Sequence, residues 1–509
     1  MLWFNLLLLF TVAISSGDSY KILTLFHIPI KSHHILASKL VKELARKGHE
    51  VTFVTPFPEK TPEKNVKEIS LEGLQALFPP GTTCTSEFKK EDTSLLQKAI
   101  FVDQIQYNFT KYLLSHEKIH DLLKTQEHYD AVLLYYYLND AMLALAHHFK
   151  APVVLFASMP LYVSASFLLS HPSPSSYVPN ILTDFTGRMT FYQRLQNSFL
   201  DAFMILYYQW FMLPQHQALV DAYVPGKPDL YQILNNESLV LLNSHVSTNE
   251  AVPVVPNAVE IGGFHIEEAK PLPKDLQKFL DDSKNGVVLF SMGSIVRSAH
   301  FPKDKRKILI DVFSKLKMNV LWKFEQELPD LPPNVKIMEW IPISDVLAHP
   351  NVKVFITHGG LLSTMEGVYH AVPLVGIPIF ADQKMNMALA TSYEYAVEVS
   401  YQELTEEKLS QAVDEVLKNP KYKENIQRRS KILRDRPLKP IDSALYWIEY
   451  VIRHQGAPHL RYPGADLNWL QRNLIDVAAL VAVVVLVPVF ALIVILKRLT
   501  KNKIKHKKE

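Results

Sequence analysis

Near its C-terminal end the chain carries twenty consecutive residues without a charge, Val477 to Leu496. At about 1.5 Å per residue a helix of this length reaches ~30 Å, the thickness of a hydrocarbon core. Inside lipid every backbone polar group must be satisfied within the segment, so the run is restricted to a helix, and Pro488 within it is tolerated. Lys497 and Arg498 follow at once, then Lys501, Lys503, Lys505, Lys507 and Lys508. Basic residues mark the cytosolic side of a span. At the other end, the apolar run Leu2 to Ile14 precedes Ser15, Ser16 and Gly17. That is the pattern of a signal peptide over residues 1–17, although no Lys or Arg opens it. The two ends predict a single-pass type I membrane protein with a luminal body and a cytosolic basic tail, 497–509.

The tail closes Lys505-His506-Lys507-Lys508-Glu509. Lysines third and fifth from the end resemble the dilysine retrieval signal, which implies the endoplasmic reticulum membrane. A basic patch against anionic lipid is the alternative. Asn108-Phe109-Thr110 and Asn236-Glu237-Ser238 are glycosylation sequons that this topology places in the lumen.

The 509 residues leave room for about three domains. The formal charge is only +3, which gives nucleic-acid binding no support as the main activity. Cys84 is the single cysteine, so an internal disulfide is impossible and a cysteine-built metal site is not expected. No G-x-G-x-x-G fingerprint, Walker loop or D-x-D pair occurs. No metal site is predicted, and a nucleotide must be held by other groups.

Two α/β halves are legible in the body. In the first, an apolar run at Lys21–Ile28, a helical pattern at about 32–47 stopped by Gly48, and a strand at Glu50–Thr55 form a βαβ unit. Strands are also expected at Asp130–Tyr135 and Pro152–Ala157. Residues 160–235 are rich in aromatics and are expected to supply helices and loops lining an apolar pocket. The second half restarts at Gly286, with strands expected at Val287–Ser291, Val320–Phe324, Val335–Glu339, Val352–Ile356 and Leu374–Ile377. The expected division is 18–255, 256–455, a closing segment 456–476, and the span 477–496. Two doubly wound Rossmann-like domains place the C-terminal ends of their strands around one cleft, where ligands bind.

The densest chemistry lies in 340–386. After the buried strand at Val352–Ile356 come Thr357-His358-Gly359-Gly360 and then a helix start with Ser363 and Thr364 in its first turn. Backbone N–H groups, hydroxyls and an imidazole converge there, an anion site suited to a diphosphate. Glu366 on the same helix suits ribose hydroxyls, and Trp340 offers a flat face for a base. This segment resembles the signature of the UDP-glycosyltransferases, which include the animal UDP-glucuronosyl- and UDP-glucosyltransferases. His358, Gly360, Ser363, Glu366, Pro373, Asp382 and Gln383 all fit its spacing, and the order of the whole chain fits as well. The body is most similar to insect members, which implies UDP-glucose more than UDP-glucuronate.

The resemblance implies a GT-B fold. It implies that Trp340 stacks on uracil, that His358 and Ser363 hold the diphosphate, that Glu366 binds ribose, and that Asp382 and Gln383 bind sugar hydroxyls. Ser294, in Ser291-Met292-Gly293-Ser294, matches the loop beside the diphosphate. Ile343 departs from the usual polar or Leu residue. For Asp382 a plain helix cap is the alternative. His349 and His370 fit no such role and read as structural histidines.

UDP leaves as a stable anion, so no general acid is required, and one proton must be taken from the acceptor hydroxyl. Histidine suits that task. Pro29-Ile30-Lys31-Ser32-His33 follows the first strand and resembles the family's Ser-His turn, which implies His33 as base, with His34 in the place of a bulky residue. The resemblance also implies an acid at the end of the strand beginning at Asp130, where Tyr135 stands instead. Asp140 either reaches back to His33 or only caps a helix, and Tyr135 is another partner. The expectation is an inverting, metal-independent transferase. It moves a hexose from a UDP-sugar, a co-substrate rather than a cofactor, to a small lipophilic acceptor. Such conjugation serves detoxification. The alternative is a membrane-anchored binding protein without turnover. Assembly into a homo-oligomer stays open.

Overall fold

The computed structural model describes residues 19–77, 94–161 and 171–505. The expected signal peptide, Cys84 and Lys507 lie outside the described residues. Residues through Leu460 form one compact unit, and Arg461 onward a second.

Thirteen strands among the described residues of the first unit make two parallel sheets. The first sheet contains β1 (Lys21–Leu25), β2 (Glu50–Thr55), β3 (Val66–Ser70), β4 (Ala131–Tyr135), β5 (Val153–Ala157), β6 (Leu239–Leu242) and β7 (Ala258–Glu260). The second contains β8 (Val287–Ser291), β9 (Asn319–Lys323), β10 (Val335–Met338), β11 (Val352–Thr357), β12 (Leu374–Gly376) and β13 (Ala396–Glu398). Their orders are β3-β2-β1-β4-β5-β6-β7 and β10-β9-β8-β11-β12-β13. Each order reverses beside the first strand of its half, between β1 and β4 and between β8 and β11. Such reversals open the crevice at which doubly wound folds bind ligands.

Helix α1 (Lys31–Arg46) buries Leu36, Leu40, Val41 and Leu44, spaced to share one face. Each contributes roughly 1.5–3 kcal/mol relative to exposure. Gly48, at φ +104°, takes the left-handed turn that ends the helix region. Helix α2 (Leu95–Ser115) starts on a capping box in which Ser94 and Gln97 bond each other's backbone N–H. Helix α3 (Phe191–Tyr207) opens the same way with Thr190 and Gln193. In the second half, Trp322, Phe290, Phe313 and Phe324 pack edge to face at the centre of the core. Helices α4 (Leu361–Tyr369) and α5 (Gln383–Ser392) follow β11 and β12.

Helix α6 (Pro440–Arg453) packs on α1, β4 and β6, all elements of the first half. His49 bonds Glu449 at 3.0 Å, and Lys47 pairs with the same carboxylate at 2.7 Å.

The second unit contains α7 (Ile475–Lys505), a helix with Pro488 inside it. Its stretch Ile475–Leu499, with mean hydropathy 3.3, is long and apolar enough to cross a membrane.

Candidate active site

An open cavity lies where the two switch points meet. His33, Tyr135 and Ser158 line it from the first half, and Gly293, Ser294, His358, Gly360, Ser363, Asp382 and Gln383 from the second. The structure thus brings most of the predicted site residues together. Trp340, Glu366 and Asp140 do not line this cavity.

The loop after β11 explains its glycines. A Cβ on Gly360 would lie 2.5 Å from His358 Nε2, and one on Gly293 2.6 Å from His358 Cε1. The imidazole therefore fits only between two residues without side chains. Gly293 also sits at φ +79°, a conformation that suits glycine. His358 Nδ1 lies 3.3 Å from Thr357 Oγ1. Burial, reinforced by the Lys323 ammonium, pushes its pKa down to about 4. Lys323 is itself nearly buried and paired with Glu325 at 2.8 Å, a charge pair behind the loop that sequence reading did not identify.

Gly360 caps α4, and no side chain occupies that cap. Ser363 stands in the first turn. The N–H of Leu361 donates to Asp382, whose Oδ2 also accepts from Asn386 Nδ2 at 2.7 Å. Asp382 stands at the start of α5 without making a side-chain cap bond there. Burial raises its pKa. Gln383 is buried, and its Oε1 accepts the N–H groups of Ile379 (2.8 Å) and Phe380 (3.1 Å). That carbonyl shapes the wall, which leaves the amide nitrogen as the group without a role in the loop.

Glu366 lies one turn further along α4. Burial, with the Asp345 charge, pushes its pKa up to about 8. Trp340 is 50% exposed, and the Lys31 ammonium sits 4.5 Å from its ring centroid. Ile343 packs among core side chains, so its departure from a polar residue is filled by apolar contact. His349 bonds Asp281 and His370 bonds Ser344, each at 3.0 Å, as structural histidines do.

His33 is the third residue of α1, just past β1. Its Nδ1 bonds Tyr135 Oη and lies 3.4 Å from Ser158 Oγ. Burial holds its pKa near 4. His34 is packed among Phe26, Phe53 and Phe57, the environment of a bulky apolar residue. Asp140 is not brought to His33. It lies buried in a 3-10 turn, where its carboxylate accepts from Tyr136 Oη (3.1 Å) and Tyr208 Oη. That turn carries it away from the end of β4 and into a polar cluster with Asp103 and His216.

Among the described residues of 160–235 none lines this cavity, and 162–170 lie outside the described residues. Its apolar lining includes Val102, Ile105 and Phe109 of α2, with Ile28, Met159 and Ile295. The spacing of Val102, Ile105 and Phe109, at i, i+3 and i+7 on α2, is the sequence signal for that wall. The sequon residues Asn108, on α2, and Asn236, before β6, are both exposed. Among the described residues, no group of three or more His, Cys, Asp or Glu is arranged to hold a metal ion.

Two doubly wound parallel sheets with a shared cavity at their switch points give this chain the GT-B architecture. A solved calicheamicin glycosyltransferase superposes with TM-score 0.57 at 17% identity, covering 86% of this chain and 99% of that one. A family model described as UDP-glucoronosyl and UDP-glucosyl transferase matches residues 23–509. UDP-glucosyltransferase 2 of Dactylopius coccus is 34% identical over 504 residues, 98% of this chain and 96% of that protein. Human UDP-glucuronosyltransferase 2B7 is 31% identical over 513 residues, 96% and 95% of the two chains. The chain belongs to this family and is a UDP-glycosyltransferase.

Proposed function

We propose that the protein is an inverting, metal-independent hexosyltransferase, with UDP-glucose favoured as donor over UDP-glucuronate. It acts on a hydroxyl of a small lipophilic acceptor, as conjugation in detoxification requires. The observation that carries this reading is that His33 and the His358–Gly360–Ser363 anion site line one cavity.

The donor half holds the diphosphate with His358, Ser363 and the free N–H groups of α4, with Ser294 beside it. Trp340 stacks on uracil once Lys31 moves off its face, Glu366 takes the ribose hydroxyls, and Asp382 with Gln383 takes the sugar. These are N–H groups and hydroxyls around the phosphates rather than carboxylates, which supports metal-independent binding. The acceptor oxygen attacks the anomeric carbon from the side opposite UDP, its proton passes to His33 Nε2, and the bonding pair of the anomeric C–O bond leaves with UDP. Attack from the opposite face inverts the anomeric centre. The division into an acceptor half, 18–255, and a donor half, 256–455, belongs to this reading, with α6 returning to cover the acceptor half. So do a signal peptide, a luminal body, the endoplasmic reticulum membrane and glycans on Asn108 and Asn236.

The test is transfer of labelled glucose and glucuronate to an acceptor panel, with UDP binding measured in parallel. His33→Ala should lower transfer at least a hundredfold while UDP affinity holds. Transfer that survives in this variant removes His33 from the reaction. A binding protein without turnover is the second reading, favoured by the lack, among the described residues, of a carboxylate bonded to His33; UDP binding with no transfer to any acceptor would establish it.

A further inference from the structure

The partners of His33 bear on which acceptors it can serve. Tyr135 Oη bonds His33 Nδ1 and also bonds the Ser158 hydroxyl. Tyr135 is 2% exposed, and its ring is wedged edge-on against Phe26 (5.0 Å, 90°) and Phe156 (5.5 Å, 78°). It cannot turn aside for another partner. Among the described residues, both groups bonded to the His33 ring are therefore neutral hydroxyls. Asp140 and Asp382 are bonded elsewhere: Asp140 to Tyr136 and Tyr208, Asp382 to Asn386 and the Leu361 N–H.

A carboxylate beside a histidine does two things: it fixes the ring and it stabilises the imidazolium that forms as the proton arrives. Tyr135 and Ser158 do the first. They do not do the second, because burial raises the Tyr135 phenol well above its ordinary range and it stays neutral. The charge that His33 acquires is left uncompensated in a wall of low dielectric. How much this matters depends on how much proton transfer the acceptor needs. A phenol, with pKa about 10, is roughly a millionfold more acidic than an aliphatic alcohol, near water at about 16, and so needs less of the proton transfer that charges His33.

We propose that this site selects acceptors by acidity: it transfers sugar to phenolic and carboxylic hydroxyls and not to unactivated aliphatic alcohols, because Tyr135 and Ser158 orient His33 without compensating its charge. The proposal rests on the transferase reading with His33 as base. Tyr135 is a positioning residue in it. In the step, the acceptor O–C1 bond forms and the C1–O bond to UDP breaks. The acceptor proton goes to His33 or, for an acceptor already ionised, has left beforehand.

The experiment uses the full chain in detergent with UDP-glucose and UDP-glucuronate. The acceptors are para-substituted phenols, benzoic acids and benzyl alcohols of matched size. The expected result is a turnover that rises with phenol acidity and falls below one-hundredth of the phenol rate for the benzyl alcohols. Tyr135→Asp should raise the alcohol-to-phenol rate ratio at least tenfold, with UDP affinity unchanged. Tyr135→Phe should leave the ratio low. Wild-type transfer to benzyl alcohols within tenfold of the matched phenols overturns the proposal, and so does an unchanged ratio in a folded Tyr135→Asp variant. Should that variant not fold, the wild-type series decides alone. UDP binding without transfer to any acceptor overturns the transferase reading and this proposal with it, whereas transfer to alcohols and phenols alike overturns this proposal only.

Discussion

Changing Glu366 to Gln isolates a proton that UDP binding has to displace. Burial and Asp345 raise the Glu366 pKa to about 8. At pH 7 roughly nine-tenths of the unliganded protein then carries a neutral Glu366. A carboxylate that accepts two ribose hydroxyls binds best ionised, so uridine nucleotide binding should release ~0.9 proton at pH 7. Affinity should rise about ninefold from pH 6 to 7, about fivefold from pH 7 to 8, and level off above, a tenfold step being about 1.4 kcal/mol. UDP titrates in the same range, so the comparison is with Glu366→Gln, in which the Glu366 contribution is absent. Calorimetry in two buffers of different ionisation enthalpy measures the proton count directly. Equal proton release and equal pH slopes in the two proteins would refute the reasoning. The sign for stability is the reverse of the usual carboxylate. The folded chain holds this proton where the unfolded chain has lost it, so the contribution is complete below about 4.5 and fades as pH rises toward 8. UDP should therefore raise the melting temperature more at pH 8 than at pH 6.

Gly293→Ala puts a Cβ 2.6 Å from His358 Cε1 at a positive φ, and should weaken UDP binding about tenfold or more by calorimetry while acceptor binding is unaffected. Asp140→Asn weakens a buried acceptor of two tyrosine hydroxyls that is not bonded to His33. It should cost about 1–3 kcal/mol in thermal or urea unfolding and leave kcat within a few-fold, and a hundredfold loss of kcat in the folded variant would restore Asp140 to the reaction. Lys505→Ala with Lys507→Ala should release the protein from the endoplasmic reticulum with activity intact, seen by microscopy and by acquired endoglycosidase resistance; retention would leave the tail without a retrieval role.

Where local pattern decides structure, the chain was legible. Val51–Thr55 and Val287–Ser291 are buried runs rich in β-formers, and strands fall on both. The glycine loop at 357–360 and the α4 start are fixed by neighbours in sequence, and the anion site follows from them. Strands β3, β7 and β13 lie at sheet edges, where charged residues break the apolar run: Lys67 and Glu68 in β3, Glu260 in β7 and Glu398 in β13. Strand β6 is four buried residues just after a polar turn, too short to show a period. The neighbours of His33 were harder. Tyr135 is 102 positions away and Ser158 125, and Asp140 is claimed by Tyr208 across 68 residues. No local spacing carries such pairings, and a carboxylate near in sequence is no guide when a turn aims it into the core.

The bond between His49 and Glu449 joins residues 400 positions apart. As the chain is synthesised, the first sheet is made in its first half, yet the helix that covers it arrives after the whole second sheet. The first half must therefore wait, with the faces of β4 and β6 open, until its neighbour has emerged. Exchange of the acceptor half between relatives is subject to the same thread. A chimera joined once, between the two sheets, would marry each first half to a stranger's covering helix. A faithful exchange needs a second junction ahead of Pro440, so that recombination in such a gene is constrained at two places rather than one.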